Sequence, residues 1–217
     1  MLSVPILSLV MSPINAAVLL LPIYILSDVV GVWLYRKEFS VDNLKVLIPA
    51  GILGVGIGWA TASMVSDEMV SLMIGLMGLA FCLNQWLSTG STTNAKPASL
   101  SRGVLWGTLS GFTSFVSHAG SPPYQIYVLP QKLPKMVFAG TTTIVFTAVN
   151  LAKVVPYSSL HPYTQESLQV AGLLLPAAIL GTVIGQYLVT CLPEKTFFKA
   201  VQIALFIICL RLVMQYF

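Results

Sequence analysis

Long apolar segments separated by short polar connections run along almost the whole chain. After an apolar stretch at 1–11, seven longer segments follow at 14–35, 44–65, 69–88, 102–119, 136–155, 166–189 and 196–216. A run of about 20 apolar residues has the length of a membrane-spanning helix and is twice as long as a barrel strand. The pattern predicts an all-α polytopic membrane protein with seven spans and an N-terminal half-helix.

Two copies of one glycine-rich block indicate an internal repeat. LIPAGILGVGIG at 47–58 and LLPAAILGTVIG at 174–185 are identical at eight of twelve positions, at an offset of 127. An offset of 122 pairs earlier positions, among them Asp28 with Asn150 and Tyr35 with Tyr157. Spaced copies of this kind are typical of proteins built from repeated units. We predict two parallel four-helix repeats related by an axis along the membrane normal.

The two copies are unequal in length. Residues 102–217 hold a complete repeat 2, whereas 1–88 hold an incomplete repeat 1 without a counterpart of the helix at 102–119. The segment 89–101, rich in Ser, Thr and Asn, is the polar linker between them, and the whole chain forms one membrane domain. A charged amino terminus on a half-helix at membrane depth is costly, so we expect the first helix to be missing from the ancestral chain. Whether the start lies upstream or the helix was lost stays open.

The composition supports the membrane assignment. Hydrophobic residues make up 56% of the 217 positions and charged residues 8%, against about 25% charged in soluble domains. The net charge of +4 comes from loop lysines and arginines and does not indicate nucleic-acid binding. The three cysteines lack metal-ligand spacing, so we expect no metal and no cofactor.

The distribution of lysines and arginines predicts the orientation in the cell inner membrane. Cytoplasmic loops carry an excess of these residues. One side receives seven of them and the other four, which places the linker 89–101 and the C-terminus in the cytoplasm.

The stretch GFTSFVSHAGSPP at 111–123 ends a predicted span in an unusual way. A helix that reaches Pro122 and Pro123 cannot continue, because proline lacks the N–H and clashes with the preceding turn. At membrane depth, the freed backbone groups need protein partners or a water-filled cavity. Such a break marks the binding site in many transporters. The alternative is an ordinary helix end followed by a surface loop.

Polar residues around this break form the predicted binding site for a small anion. The predicted substrate-binding residues are Ser117, His118, Gly120, Ser121, Pro122, Pro123, Tyr127, Thr141, Thr142, Asn150 and Lys153. The helix that starts after Pro123 would offer N–H groups to an anion. Lys153 either attracts the anion or extends to the membrane surface. The threonines either line a polar path or bond their own backbone carbonyls.

Two titratable side chains are candidates for proton coupling. Asp28 lies eight residues before Arg36, about 12 Å into its span at 1.5 Å per residue. His118 has an ordinary pKa near neutrality and lies within an apolar run. An ionisable residue inside a span is a functional hypothesis by default. The alternatives are an interhelical hydrogen bond for Asp28 and a satisfied buried imidazole for His118.

Glycine pairs at four-residue spacing indicate close helix packing. They occur at Gly54-x-x-x-Gly58, Gly107-x-x-x-Gly111 and Gly181-x-x-x-Gly185. A phosphate-binding loop is a poor alternative, because no strand precedes these glycines and no P-loop lysine follows. Homodimer formation through the small-residue faces stays open.

Enzyme signatures are missing from the sequence. It contains no H-E-x-x-H, no G-x-S-x-G and no pair of intramembrane aspartates. We therefore assign no catalytic residues and predict that the protein is not an enzyme.

Several motifs resemble the sulfite exporter TauE/SafE family. In the second half they are the 111–123 block, Phe138-Ala-Gly-Thr, and Asn150-x-x-Lys153 with Tyr157; in the first half they are Val4-Pro5-x-Leu7, Ser27-Asp28 and the 47–58 block. The resemblance implies an eight-helix type of transporter, built from two repeats, that exports small sulfur-containing anions. Ser121 stands where the family often has glycine, and the family's first helix has no counterpart.

The sequence thus predicts a membrane transporter that exports sulfite, sulfonates or related organic anions. Alternating access around the His118–Pro123 break is the predicted mechanism, and the lipid bilayer and a small anion are the expected partners. The alternative from another class is a non-transporting membrane subunit that needs a partner to complete its fold.

Overall fold

The computed structural model describes residues 13–62, 64, 66–87, 95–160 and 164–214. Within these ranges all regular secondary structure is helical, and there are no strands. The helices are α1 Pro13–Tyr35, α2 Val41–Ala60, α3 Asp67–Leu87, α4 Leu100–Ser117, α5 Ser121–Val128, α6 Lys135–Leu160, α7 Gln165–Cys191 and α8 Glu194–Met214, with a 3₁₀ turn at Leu129–Gln131 between α5 and α6. The predicted half-helix at 1–11 and the first part of the linker, 89–94, lie outside the described residues.

Five of the described helices are long and apolar enough to cross a membrane. These are α1, α2, α6, α7 and α8, with candidate spans at Val18–Tyr35, Val41–Ala60, Lys135–Ser159, Gln169–Cys191 and Glu194–Met214. The protein is therefore an all-α, multi-pass membrane protein. Helices α3 and α4 correspond to the other two predicted segments, but the count of seven spans and the repeat architecture stay predictions.

Helix α6 is longer than its sequence pattern predicts. We expect the helix to end near residue 155, before Pro156, but α6 continues through Pro156 to Leu160. Proline is tolerated inside membrane helices because local adjustments and neighbouring groups satisfy the freed carbonyl. The extra turn carries Tyr157 into the interior, where only 3% of its surface is exposed.

Helices α2 and α4 cross in close contact through their glycines. A Cβ atom added to Gly107 would lie 2.8 Å from Ala50 Cβ, and one added to Gly111 would overlap the backbone of Gly51. A Cβ on Gly58 would lie 2.8 Å from the Phe115 ring. These contacts confirm the packing role predicted for the glycine pairs of α2 and α4.

The matching glycines of α7 have no such partner. Nothing lies within 4 Å of a Cβ added to Gly181 or Gly185. Helix α7 packs on α1, where Ala171 is buried, but most of its candidate span is exposed among the described part of the chain. Within the described residues no helix covers the face of this third pair, so its packing role stays a prediction.

A buried amide pair anchors the turn that follows α5. Asn43 Nδ2 donates to Gln131 Oε1 at 2.8 Å, and Gln131 Nε2 donates back to Asn43 Oδ1 at 3.1 Å. Asn43 also donates to the Ser40 hydroxyl at the start of α2. Because both amides are buried and bonded to each other, the end of the short α5 is fixed against α2.

Candidate functional site

The helix break at the end of α4 is real, but it lies before the prolines. Helix α4 ends at Ser117, and His118 takes the left-handed conformation with φ 53°. Helix α5 then begins at Ser121 and carries both prolines in its first turn. Proline is favoured there because its φ suits the helix and its missing N–H would have had no partner. The predicted helix start after Pro123 is therefore wrong, because α5 begins three residues earlier, at Ser121.

This shift weakens the predicted anion site at the start of α5. Two of its first three residues are prolines, so Ser121 alone offers an N–H there, and the next one, on Tyr124, bonds the Gly120 carbonyl. The side chains of Ser121 and Gln125 bond each other at 2.7 Å. A cluster of N–H groups, which anion binding at a helix start requires, is not formed.

Hydroxyls of α4 satisfy the carbonyl groups freed by the break. Ser110 Oγ donates to the Gly120 carbonyl at 2.7 Å, and Thr113 Oγ1 donates to the Ala119 carbonyl at 3.1 Å. Gly120 also packs closely, since a Cβ there would lie 2.7 Å from the Ser110 carbonyl oxygen. The break is therefore a fixed, fully buried turn whose backbone bonds are made inside the protein.

Lys153 lies at the centre of the polar cluster beside this turn. Its side chain is fully buried, with 0% exposure. Its Nζ donates to Asn150 Oδ1 at 3.3 Å and lies 3.5 Å from His118 Nδ1. The alternative in which Lys153 extends to the membrane surface is wrong, because both of these partners lie in the interior.

Asn150 connects this lysine to the acidic residue of α1. Its Nδ2 donates to Asp28 Oδ2 at 2.8 Å, while its Oδ1 faces the Lys153 ammonium. The two charged neighbours fix the amide orientation, because only the nitrogen can donate and only the oxygen can accept. Asp28 and Asn150, which the 122-residue offset pairs, are therefore in direct contact. This contact is the interhelical hydrogen bond considered above for Asp28.

The second ring nitrogen of His118 contacts Tyr157. The Tyr157 hydroxyl lies 3.2 Å from His118 Nε2 and donates to the Phe115 carbonyl at 2.7 Å. An ammonium can only donate, so His118 Nδ1 accepts from Lys153 and Nε2 carries the proton. The ring of Tyr24 packs on the imidazole, with centroids 5.8 Å apart. His118 is thus a neutral imidazole held in one tautomer.

We define the charged cluster as Asp28, Asn150, Lys153, His118 and Tyr157. Helix α6 supplies three of its members at spacings of three and four residues, which places them on one face. Sequence reasoning assigned no role to Tyr157 or Tyr24. The position of Tyr157, four residues after Lys153, was the signal available, but it depended on α6 continuing past Pro156.

Other predicted site residues lie away from the charged cluster. The hydroxyls of Thr141 and Thr142 donate to the carbonyls of Val137 and Phe138, which confirms the self-bonding alternative for both. Thr141 also accepts from the Ser40 N–H, and Thr142 bonds the Tyr124 hydroxyl at 3.0 Å.

The remaining predicted site residues are Tyr127, Pro122, Pro123 and Ser117. The Tyr127 hydroxyl bonds Ser99 at the opposite end of α4 from His118. Pro122 and Pro123 are buried in the first turn of α5. The side chain of Ser117 lies outside the described part of the structure. Among the described residues, no three His, Cys, Asp or Glu side chains are grouped as metal ligands.

We expect Tyr157→Phe to destabilise the protein by about 1–2 kcal/mol, because it removes a buried hydrogen bond and leaves the Phe115 carbonyl without this donor. That corresponds to a fall of roughly 2–8 °C in the melting temperature of the purified protein. Tyr35→Phe is the matched control at the position that the repeat pairs with Tyr157. Equal shifts for the two variants would contradict the role assigned to Tyr157.

A multi-pass helical protein with a buried cation beside a broken helix has the features of a membrane transporter. The family model of the sulfite exporter TauE/SafE matches residues 1–212. The chain belongs to this family, whose members are transporters and not enzymes. No curated protein matches the chain, and no solved structure does.

Proposed function

We propose that this protein exports small anions, with sulfite, sulfonates or related sulfur-containing organic anions as its substrates. The family supports the substrate class. The observation that carries the proposal is the environment of Lys153. Its hydrogen-bond partners, Asn150 and His118, are both neutral, so the ammonium is buried without a carboxylate bonded directly to it. An anion that reaches Nζ therefore gains a charge-assisted hydrogen bond in a site of low dielectric.

The binding position we propose is at the Lys153 ammonium, beside the turn at His118–Gly120. His118, held by Tyr157, and Asn150 both accept from Lys153, so the ammonium is oriented before the anion arrives. The left-handed backbone at His118 is a strained conformation for a residue with a side chain, and such strain is concentrated at functional sites. Alternating access would follow from movement of α5 and α6 around this turn.

Flux measurements in proteoliposomes test this proposal. The purified chain should move radiolabelled sulfite, and unlabelled methanesulfonate should compete with it, whereas choline and glucose should not. Liposomes without protein give the background. The proposal fails if the protein moves none of the sulfur-containing anions above that background.

The open face of α7 favours a second candidate function, that of a membrane subunit completed by a partner. Gly54 and Gly58 of the block at 47–58 pack on α4, whereas a Cβ added to Gly181 or Gly185, their counterparts in the copy at 174–185, meets nothing within 4 Å among the described residues. By the internal repeat, the occupant of that face would be an α4-like helix from the partner. This candidate is supported if the chain alone moves no anion and if flux appears once a partner protein, captured by crosslinking through position 181, is added back.

A further inference from the structure

The net charge of the charged cluster sets a condition on anion binding. The titratable side chains that face it are Tyr24 and Asp28 on α1, His118 after α4, and Lys153 and Tyr157 on α6. Asp28 is the only carboxylic acid among these side chains, and Lys153 is the only amine. With His118 neutral, the unoccupied cluster carries one negative and one positive charge and is neutral overall.

Among the described side chains, no other charged group of the surrounding helices lies in the cluster. The remaining described charged side chains on or beside α1, α2, α4 and α6 lie at helix ends or in the connections between helices: Arg36, Lys37, Glu38, Asp42, Lys45, Arg102, Lys132 and Lys135. The candidate span of α7, which packs on α1, contains no charged residue. Anion binding to the neutral cluster would therefore leave an uncompensated negative charge in the membrane interior, which is costly.

Asp28 is the member of the cluster at which this charge can be removed. It is linked to Lys153 by one amide, with Asn150 bonded to both. An anion on Lys153 would thus lie one residue away from the Asp28 carboxylate, and two like charges at that separation repel strongly in a medium of low dielectric. Asp28 is also half-buried, whereas the other four members are buried, so it is the member most open to a proton from water.

We propose that each monovalent anion is carried together with one proton, which binds the Asp28 carboxylate. This inference rests on the proposed function and adds the coupling ion to it. A proton from the aqueous phase neutralises Asp28, and the anion then pairs with Lys153, so the loaded cluster is again neutral. The transport step moves no net charge, and the proton leaves Asp28 when the anion leaves Lys153.

The test uses methanesulfonate, whose single negative charge does not change over the pH range of the assay. Proteoliposomes contain a pH-sensitive dye, and the membrane potential is set with potassium and valinomycin. For the unchanged protein we expect protons to move in the same direction as the anion, and the flux to be independent of the potential. The affinity for methanesulfonate should rise by up to about tenfold for each unit by which the pH falls, because proton and anion binding strengthen each other reciprocally.

Asp28→Asn supplies the decisive variant, with Asp42→Asn on the exposed start of α2 as its matched control. The amide is permanently neutral, so the variant should still move methanesulfonate, but without protons, with less than about twofold change in affinity per pH unit, and with a flux that depends on the potential. The control should behave as the unchanged protein. If Asp28→Asn does not fold, the proton measurement on the unchanged protein decides alone.

Each other outcome contradicts the proton coupling, the assignment to Asp28 or the proposed function. Flux without proton movement in the unchanged protein would overturn the coupling and leave the proposed function intact. Proton-coupled flux that survives in Asp28→Asn but is lost in His118→Gln would overturn the assignment to Asp28. Absence of any flux from the unchanged protein would overturn the proposed function, and this inference with it.

Discussion

Lys153→Met is expected to abolish anion flux without unfolding the protein. Methionine has a similar length and no charge, and Asp28, which the substitution leaves without a cation, can take up a proton instead of remaining a buried unpaired charge. The anion, however, loses its only direct cationic partner in the charged cluster. A charge-assisted hydrogen bond contributes up to about 3 kcal/mol, so the loss corresponds to a reduction of flux at low substrate by roughly 100-fold.

Lys45→Met on α2 is the matched control, because this lysine is exposed and lies outside the cluster. It should change the flux by less than about twofold, as expected for a surface charge. Lys153→Arg should not restore full activity, since the planar guanidinium cannot place its donors where the compact ammonium does. Full flux in Lys153→Met would show that the anion binds elsewhere, whereas loss of monodisperse protein would show that the lysine is structural.

Gly54→Val is expected to destabilise the protein by roughly 3 kcal/mol or more. A Cβ at this position would lie 2.7 Å from the Phe112 nitrogen and would overlap the Thr108 carbonyl oxygen, and both are backbone atoms that cannot move aside without separating α2 from α4. Overpacking of this kind commonly costs about 1–3 kcal/mol, and backbone contacts put it at the upper end. The melting temperature in detergent should fall by roughly 6–12 °C.

Two glycines with open surroundings serve as controls for this variant. Gly56 lies in the same helix, and Gly181 is the counterpart of Gly54 in the second copy of the block, with nothing within 4 Å of an added Cβ at either position. Valine at these sites should shift the melting temperature by less than about 3 °C. An equal fall for Gly54→Val and Gly181→Val would mean that both faces are covered, which would contradict the open face of α7.

The hydrophobic pattern was sufficient to locate the helices. Runs of about 20 apolar residues can only be helices in a bilayer, since every backbone group must be bonded within the segment. Helix ends were less certain. The apolar segment predicts a helix end at residue 155, before Pro156. In a membrane, however, ending the helix there would expose several unpaired backbone groups, which costs more than the one hydrogen bond that proline removes. That misjudged end is also why Tyr157 was not assigned to the site.

Only part of the predicted site came together in the structure. His118, Asn150 and Lys153 were predicted as binding residues and do meet, and Asp28 joins them. Tyr127 and Thr141 do not, because a hydroxyl in a helix can bond its own backbone or a neighbouring loop as well as a ligand, and the sequence does not distinguish these cases. The same ambiguity applied to Lys153, whose long side chain could have reached the surface as easily as the interior.

The sequence by itself determined that this is a helical membrane protein and that the helix breaks near His118, and it paired Asp28 with Asn150 through the predicted repeat. These properties depend on local composition and on spacing along the chain. The tertiary structure decided which groups are partners. His118 and Lys153 lie 35 residues apart yet meet across two helices, and Gly54 and Gly58 are closely packed while their counterparts Gly181 and Gly185 have nothing within 4 Å among the described residues. Identical local sequence gives different environments because burial depends on the neighbour, which the local sequence does not specify.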